Sequence, residues 1–158
     1  MSQIVVVSGN PRPGSRTSVL ATAVGQALAA AGAGSAPTVI EVGEIGAGLL
    51  TPGDEATAAA LAAVREAGLL VVATPTYKGS YTGVLKVLLD QLPAQALAGK
   101  RAVPVVTAGV APQAAAAEAL LRQLLTELGA EVGPGLPVVE SDLPDSAAIA
   151  EKYAAAFS

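Results

Sequence analysis

The chain has 158 residues, carries a net charge of −4 and contains neither cysteine nor histidine. That composition excludes a thiol nucleophile, a disulfide, an iron–sulfur cluster, a histidine base and nearly every transition-metal site, so reactivity points to a bound organic cofactor. Scattered basic residues and few aromatics argue against a nucleic-acid surface, and no run of about 18 apolar residues is available to span a membrane.

The length suits a single domain, 1–158, large enough to bury a core. The start MSQIVVV has no basic segment ahead of its apolar run, which reads as no signal peptide and a cytoplasmic setting. Ile4 to Val7 is short, β-branched and unbroken, as in a strand buried on both faces, and a strand is predicted over 4–8. An Ala-rich helix is predicted over 17–31. Between them lies SGNPRPGSRT, with Gly9, Gly14, Arg12, Arg16 and the hydroxyls of Ser8, Ser15 and Thr17. A strand that turns over such a loop into a helix N-terminus presents free amides and a positive dipole end, which is a site for an anion such as phosphate.

Several readings of that loop compete. Gly9, four residues, then Gly14 nearly makes a Walker loop, but Ser15 stands where a lysine is needed and no later strand ends in an aspartate for Mg²⁺. The dinucleotide pattern G-x-G-x-x-G is absent, because Asn10 and Pro11 follow Gly9. A monophosphate held by hydroxyls, amides and an arginine remains. So does a plain turn in which Ser15 or Thr17 caps the helix and the polar groups face water.

Further along, a strand is predicted over 38–42 and the stretch GEIGAGLLTPG, 43–53, reads as a loop. The next helix is predicted over 52–67, with Thr51 as cap, Pro52 in the first position and Asp54 completing the capping box. A strand over 69–74 leads into the polar loop ATPTYKGSY. The following helix, 82–92, turns Leu85, Leu88, Leu89 and Leu92 inward. A strand over 102–107 contains Pro104, which removes a ladder donor and predicts a bulge or a frayed strand start. The helix over 112–128 carries an inward stripe of Leu120, Leu121, Leu124, Leu125 and Leu128, and the Glu118/Arg122 spacing marks its solvated face. A strand at 136–139 and a helix over 146–157 complete the chain.

Strands and helices that alternate with short connections imply a parallel sheet covered on both faces. Five strands suggest the order 2-1-3-4-5, in which strands 1 and 3 send their helices to opposite faces. A crevice then opens between their carboxyl ends, where ligands of such sheets bind. SGNPRPGSRT and the loop after strand 3 face each other across it.

Together the two loops resemble the NADPH-dependent FMN reductase family, most closely its alkanesulfonate-associated two-component branch. The resemblance rests on SGNPRPGSRTS at 8–18, TPTYKGSYTGVLKVLLDQLP at 74–93 and PVVTAG at 104–109, which sets Pro104 within the family's own strand. It implies a flavodoxin-like α/β fold, a three-layer sandwich around a five-stranded parallel sheet. It also implies hydride transfer from NADPH or NADH to FMN, with the electrons passing to oxygen, a quinone-like acceptor or a partner monooxygenase.

By the same resemblance the FMN phosphate would meet Asn10, Arg12, Ser15 and Thr17, with Arg16 nearby. The isoalloxazine would meet Pro75, Thr76, Tyr77, Lys78, Gly79 and Ser80, and its pyrimidine edge Thr107, Ala108 and Gly109. Two positions depart from the family pattern: Asn10 stands in place of a serine and Ala108 in place of a glycine. No protein acid or base and no metal is implied, and relatives of this kind form homodimers or homotetramers. The rival readings are a flavodoxin-type electron carrier, which keeps its FMN and uses no nicotinamide, and a flavin-binding protein without turnover.

Overall fold

The computed structural model describes residues 2–157. Strand β1 (Ile4–Ser8) lies between β2 (Thr38–Glu41) and β3 (Leu69–Pro75), and β3 pairs in turn with β4 (Arg101–Ala108), all in parallel. The outer side of β4 is shared by two short strands, β5 (Glu131–Val132) and β6 (Leu136–Val139). This is the flavodoxin-like order 2-1-3-4-5 that the sequence predicts, with its last position divided in two.

Pro104 explains the division. The Lys100 and Ala102 carbonyls accept from Glu131 and Gly133, so even-numbered residues of β4 aim their backbone polar groups at the outer edge. Pro104 therefore presents its missing N–H toward that edge, between the Ala102–Val132 and Val105–Leu136 pairings, where Gly133, Pro134 and Gly135 loop away. On its other side β4 stays in register with β3, Val72 opposite Pro104. The predicted bulge or frayed start is thus an interruption of the neighbouring strand, because the neighbour is the one that lacks a donor to accept from.

The helices are α1 (Arg16–Ala30), the single turn α2 (Val42–Ile45), α3 (Glu55–Glu66), α4 (Gly83–Leu89), α5 (Ala111–Glu127) and α6 (Ser146–Ala156). Ile4, Val6, Val71, Val103 and Val105 pack on α1 and α6 through Leu20, Val24, Leu28, Ala150 and Ala154. Their alternates Val5, Val7, Leu70, Val72 and Val106 pack on α3, α4 and α5 through Val64, Leu85, Leu88, Leu121 and Leu125. Strand alternation thus feeds two apolar layers, one on each face of the sheet.

Four local expectations are corrected. Residues 43–53, read as a loop, contain most of α2 and a 3₁₀ turn at Gly46–Leu50. Helix α3 starts at Glu55 rather than 52, capped by Asp54, whose carboxylate accepts from the Thr57 amide and hydroxyl at 2.9 and 2.8 Å. Thr51 caps nothing: its carbonyl accepts from Asp54 N across Pro52 and Gly53, and Gly53 has φ +77, so Pro-Gly makes a turn instead of a first helical turn. Leu120 is exposed, since the α5 stripe is narrower than the run of leucines, whereas Leu121 and Leu125 are fully buried. Finally, β2 is an edge strand with Thr38 and Val39 exposed, so burial on both faces applies to β1, β3 and most of β4.

Candidate functional site

The loop after β1 is shaped by what surrounds it. Gly9 donates its N–H to the Ala73 carbonyl at 2.8 Å, and its own carbonyl accepts from the Thr82 hydroxyl at 2.5 Å. A side chain there would place Cβ 2.8 Å from Leu85 Cβ, so only glycine lets the loop pass this close to α4. Asn10 is buried, and its Oδ1 accepts from Arg12 N at 2.9 Å. Its amide nitrogen has no hydrogen-bond partner among the described residues. Ser15 is the N-cap of α1, accepting from Ser18 N at 3.1 Å. Thr17 Oγ1 lies 2.9 Å from Thr107 Oγ1, joining the first turn of α1 to the end of β4.

A polar network behind the loop holds this shape. Glu41, at the end of β2, accepts from Gly14 N at 2.6 Å and from Ser18 Oγ at 2.5 Å, and Ser18 Oγ also meets Ser8 Oγ at 2.5 Å. Gly14 has φ +70, the left-handed conformation that turns its amide toward Glu41. The carboxylate therefore braces the loop from the side away from the crevice.

The loop after β3 is a two-residue turn. Tyr77 and Ser80 exchange backbone hydrogen bonds at 2.9 and 3.2 Å, with φ +52 at Lys78 and +80 at Gly79. Two successive left-handed residues make a type I′ turn. Gly79 serves that conformation, and a Cβ on it would meet no other atom of the chain. The Thr76 hydroxyl donates to the Thr107 carbonyl at 2.8 Å, which ties this loop to β4.

Past β4, α5 begins after Val110 with no side-chain cap, and Pro112 lies in its first turn. The Ala111 and Gln113 amides are thus uncapped donors at the carboxyl edge of the sheet. Gly109 is exposed. Ala108 is 3% exposed and follows Val106 on the side of β4 that faces α4 and α5, away from Thr107.

Between the loops lies a small cleft of about 120 Å³, lined by Asn10, Arg12, Ser15, Arg16, Thr17, Pro75, Tyr77, Thr107, Glu140 and Leu143. The chain fold brings eight of the residues read from the sequence to one place. Thr76, Lys78, Gly79, Ser80, Ala108 and Gly109 do not line it. Glu140 and Leu143, from the 3₁₀ turn Glu140–Asp145 that follows β6, were not anticipated, and neither was Glu41. The order 2-1-3 carries the signal for Glu41, since the end of β2 must flank the loop after β1. Glu140 had no comparable signal. Arg16 Nη2 lies 3.5 Å from Glu140 Oε2, both side chains being more than half exposed, while Arg12 is exposed and pairs with no acidic side chain among the described residues.

A cleft rich in donors at the point where strand order reverses has the chemistry and the place that suit an anion in a sheet of this order. A sequence profile described as NADPH-dependent FMN reductase matches residues 2–142. The chain belongs to that family. The NADH-dependent FMN reductase SfnF of Pseudomonas fluorescens is 35% identical over 152 residues, 90% of this chain and 79% of that protein. The FMN reductase (NADPH) of Escherichia coli is 43% identical over 68 residues, 43% of this chain, and the match spans only 36% of that relative's length. Among solved structures, the apo form of the NADH:FMN oxidoreductase EMOB superposes with a TM-score of 0.73 at 31% identity, covering 100% of this chain and 91% of that one. The family expected from the two loops is therefore the family found, and no helix among the described residues is long and apolar enough to cross a membrane.

Proposed function

We propose that the chain is a cytoplasmic NAD(P)H-dependent FMN reductase whose reduced flavin passes electrons to oxygen, a quinone-like acceptor or a partner monooxygenase. One observation carries this reading: Asn10, Arg12, Ser15 and Thr17 converge with Pro75, Tyr77 and Thr107 on a single cleft at the carboxyl edge of the sheet. The residues fit the group. Gly9 leaves room for no side chain, and among the described residues the Asn10 amide is unspent and Arg12 has no competing carboxylate. The enclosed volume suits a phosphate rather than a whole nucleotide, since sites for complete small molecules run to several hundred Å³. The rest of the cofactor would then lie outside it, against the turn at Tyr77 to Ser80 and the loop Thr107, Ala108, Gly109.

When bound, FMN supplies the redox chemistry, accepting electrons from the nicotinamide and handing them on. The chain's own part is binding and electrostatics. Asn10, Arg12, Ser15 and Thr17 hold the phosphate, with Arg16 at the rim. The uncapped N-terminus of α5 offers a positive dipole end to the edge of the ring that gains negative charge. Tyr77 is 44% exposed and Tyr81, which follows the second loop, packs against the core, an arrangement that suits a flavin face open to a second planar ligand. Lys78 and Arg12 are the cations available to the phosphates of the nicotinamide nucleotide.

The deciding experiment is NADPH consumption by the purified protein with and without FMN. A rate that rises and saturates with FMN supports the reductase. Stoichiometric FMN binding without reduction by either nicotinamide, in anaerobic single-turnover mixing, identifies an electron carrier instead.

A further inference from the structure

Glu140 is the only acidic side chain among the residues lining the phosphate cleft. It arrives there because β6 ends at Val139, paired with Ala108, and the 3₁₀ turn that follows folds Glu140 and Leu143 against the loop after β1. Its carboxylate lies 3.5 Å from Arg16 Nη2. Glu41, the other carboxylate close by, is differently placed: it is spent on Gly14 N and Ser18 Oγ behind the loop and does not line the cleft.

An anion site ordinarily gathers donors and excludes acceptors, because a carboxylate has only lone pairs to offer a phosphate. Glu140 breaks that rule in two ways. It occupies one of the two arginines at the cleft, and it sets a negative charge beside the position of a dianion. Nothing in the fold requires a carboxylate here, since Glu140 is more than half exposed and its sole partner among the described residues is Arg16.

We propose that Glu140 is a counter-charge that weakens the hold on the flavin phosphate and so keeps FMN an exchangeable ligand rather than a permanently bound group. The inference rests on the reading of this cleft as the FMN phosphate site. Its physical basis is competition: Arg16 is shared between Glu140 and the incoming phosphate, and both anions cannot be fully compensated by Arg12 and Arg16. The effect is moderate because the pair is half-exposed and screened by solvent. A flavin that leaves after reduction suits delivery in free form to a separate acceptor.

The test is titration of FMN and of riboflavin into wild type, Glu140→Gln and Glu140→Ala, followed by flavin fluorescence, with stopped-flow measurement of release. Both variants are expected to bind FMN about fivefold tighter, the upper end for a half-exposed ion pair, with slower release and with riboflavin unchanged. The gain should shrink as salt is added. Arg16→Ala should cost more FMN affinity in the Glu140→Gln background than in the wild type, where Arg16 is already engaged. Equal FMN affinity in wild type and both variants, or an equal gain for riboflavin, overturns the proposal. If wild type fails to distinguish FMN from riboflavin, the phosphate reading of the cleft fails first, and the proposal falls with it.

Discussion

Thr17 Oγ1 and Thr107 Oγ1 stand 2.9 Å apart beside the cleft, 90 residues apart in the chain, and join the first turn of α1 to the end of β4. Both side chains are nearly inaccessible, at 4% and 3% exposure. Thr107→Val keeps the shape and removes one partner, which leaves the Thr17 hydroxyl buried without a bond. A loss of about 1–3 kcal/mol in unfolding free energy is expected from urea denaturation. Because the Thr107 backbone carbonyl still accepts from Thr76, the second loop should stay tethered, so FMN affinity should fall less than for a change in the first loop.

Arg12→Ala should weaken FMN binding by about ten- to a hundredfold, the equivalent of roughly 1.5–3 kcal/mol for a hydrogen bond to a charged group. Riboflavin binding should hardly change. Adding Lys78→Ala should raise the apparent KM for NADPH, and more for NADPH than for NADH if either cation reads the 2′-phosphate. Isothermal titration and steady-state kinetics check the two halves.

Two glycines near the site should fail for different reasons. Gly9→Ala puts a methyl 2.8 Å from Leu85 Cβ and 3.1 Å from the Ala73 carbonyl, so a cost of about 1–3 kcal/mol from overpacking is expected. Gly79→Val meets no neighbour, but forces a β-branched residue to φ +80. That disfavours the turn between Tyr77 and Ser80, and turnover should fall even at saturating NADPH while the melting temperature drops little.

Tyr153 should ionise late. Burial pushes its phenol up to about 12 from an ordinary value of 10.0, against the opposing charges of Arg101 and Arg122, and its hydroxyl donates to the Pro134 carbonyl. The raised folded value means that this contribution to stability is complete below pH 10 and is lost as pH rises toward 12. Ultraviolet titration should show one late-ionising phenol, absent in Tyr153→Phe.

Assembly is the remaining expectation, and it extends the proposed function. Beside the Tyr77–Leu92 segment a groove of about 540 Å³ is lined by Leu49, Leu50, Leu61, Val87, Asp90 and Gln91, and Leu50 is 79% exposed. A homodimer or homotetramer that covers this face is expected. Sedimentation equilibrium should show it at micromolar concentration, and Leu50→Glu should shift it toward monomer.

The alternation of buried apolar runs with Ala- and Leu-rich helices was legible before any coordinates, and it carried the strand order with it. The reason is local: a strand buried on both faces has to be apolar along a continuous run, and residues 4–7 and 69–73 meet that demand by themselves. The two loops at the crevice were legible for a similar reason, because glycine, proline and hydroxyl residues declare a turn into a helix. Three things were decided only by tertiary structure. Pro104 could be placed in a strand, but which neighbour lost the donor depended on the direction of its nitrogen. Gly79 could be singled out, but the left-handed turn it makes with Lys78 depended on the bonds between Tyr77 and Ser80. Glu41 and Glu140 became part of the site because β2 and β6 end beside the first loop. A lone carboxylate has no local signature, and its meaning comes from the distant segments packed against it.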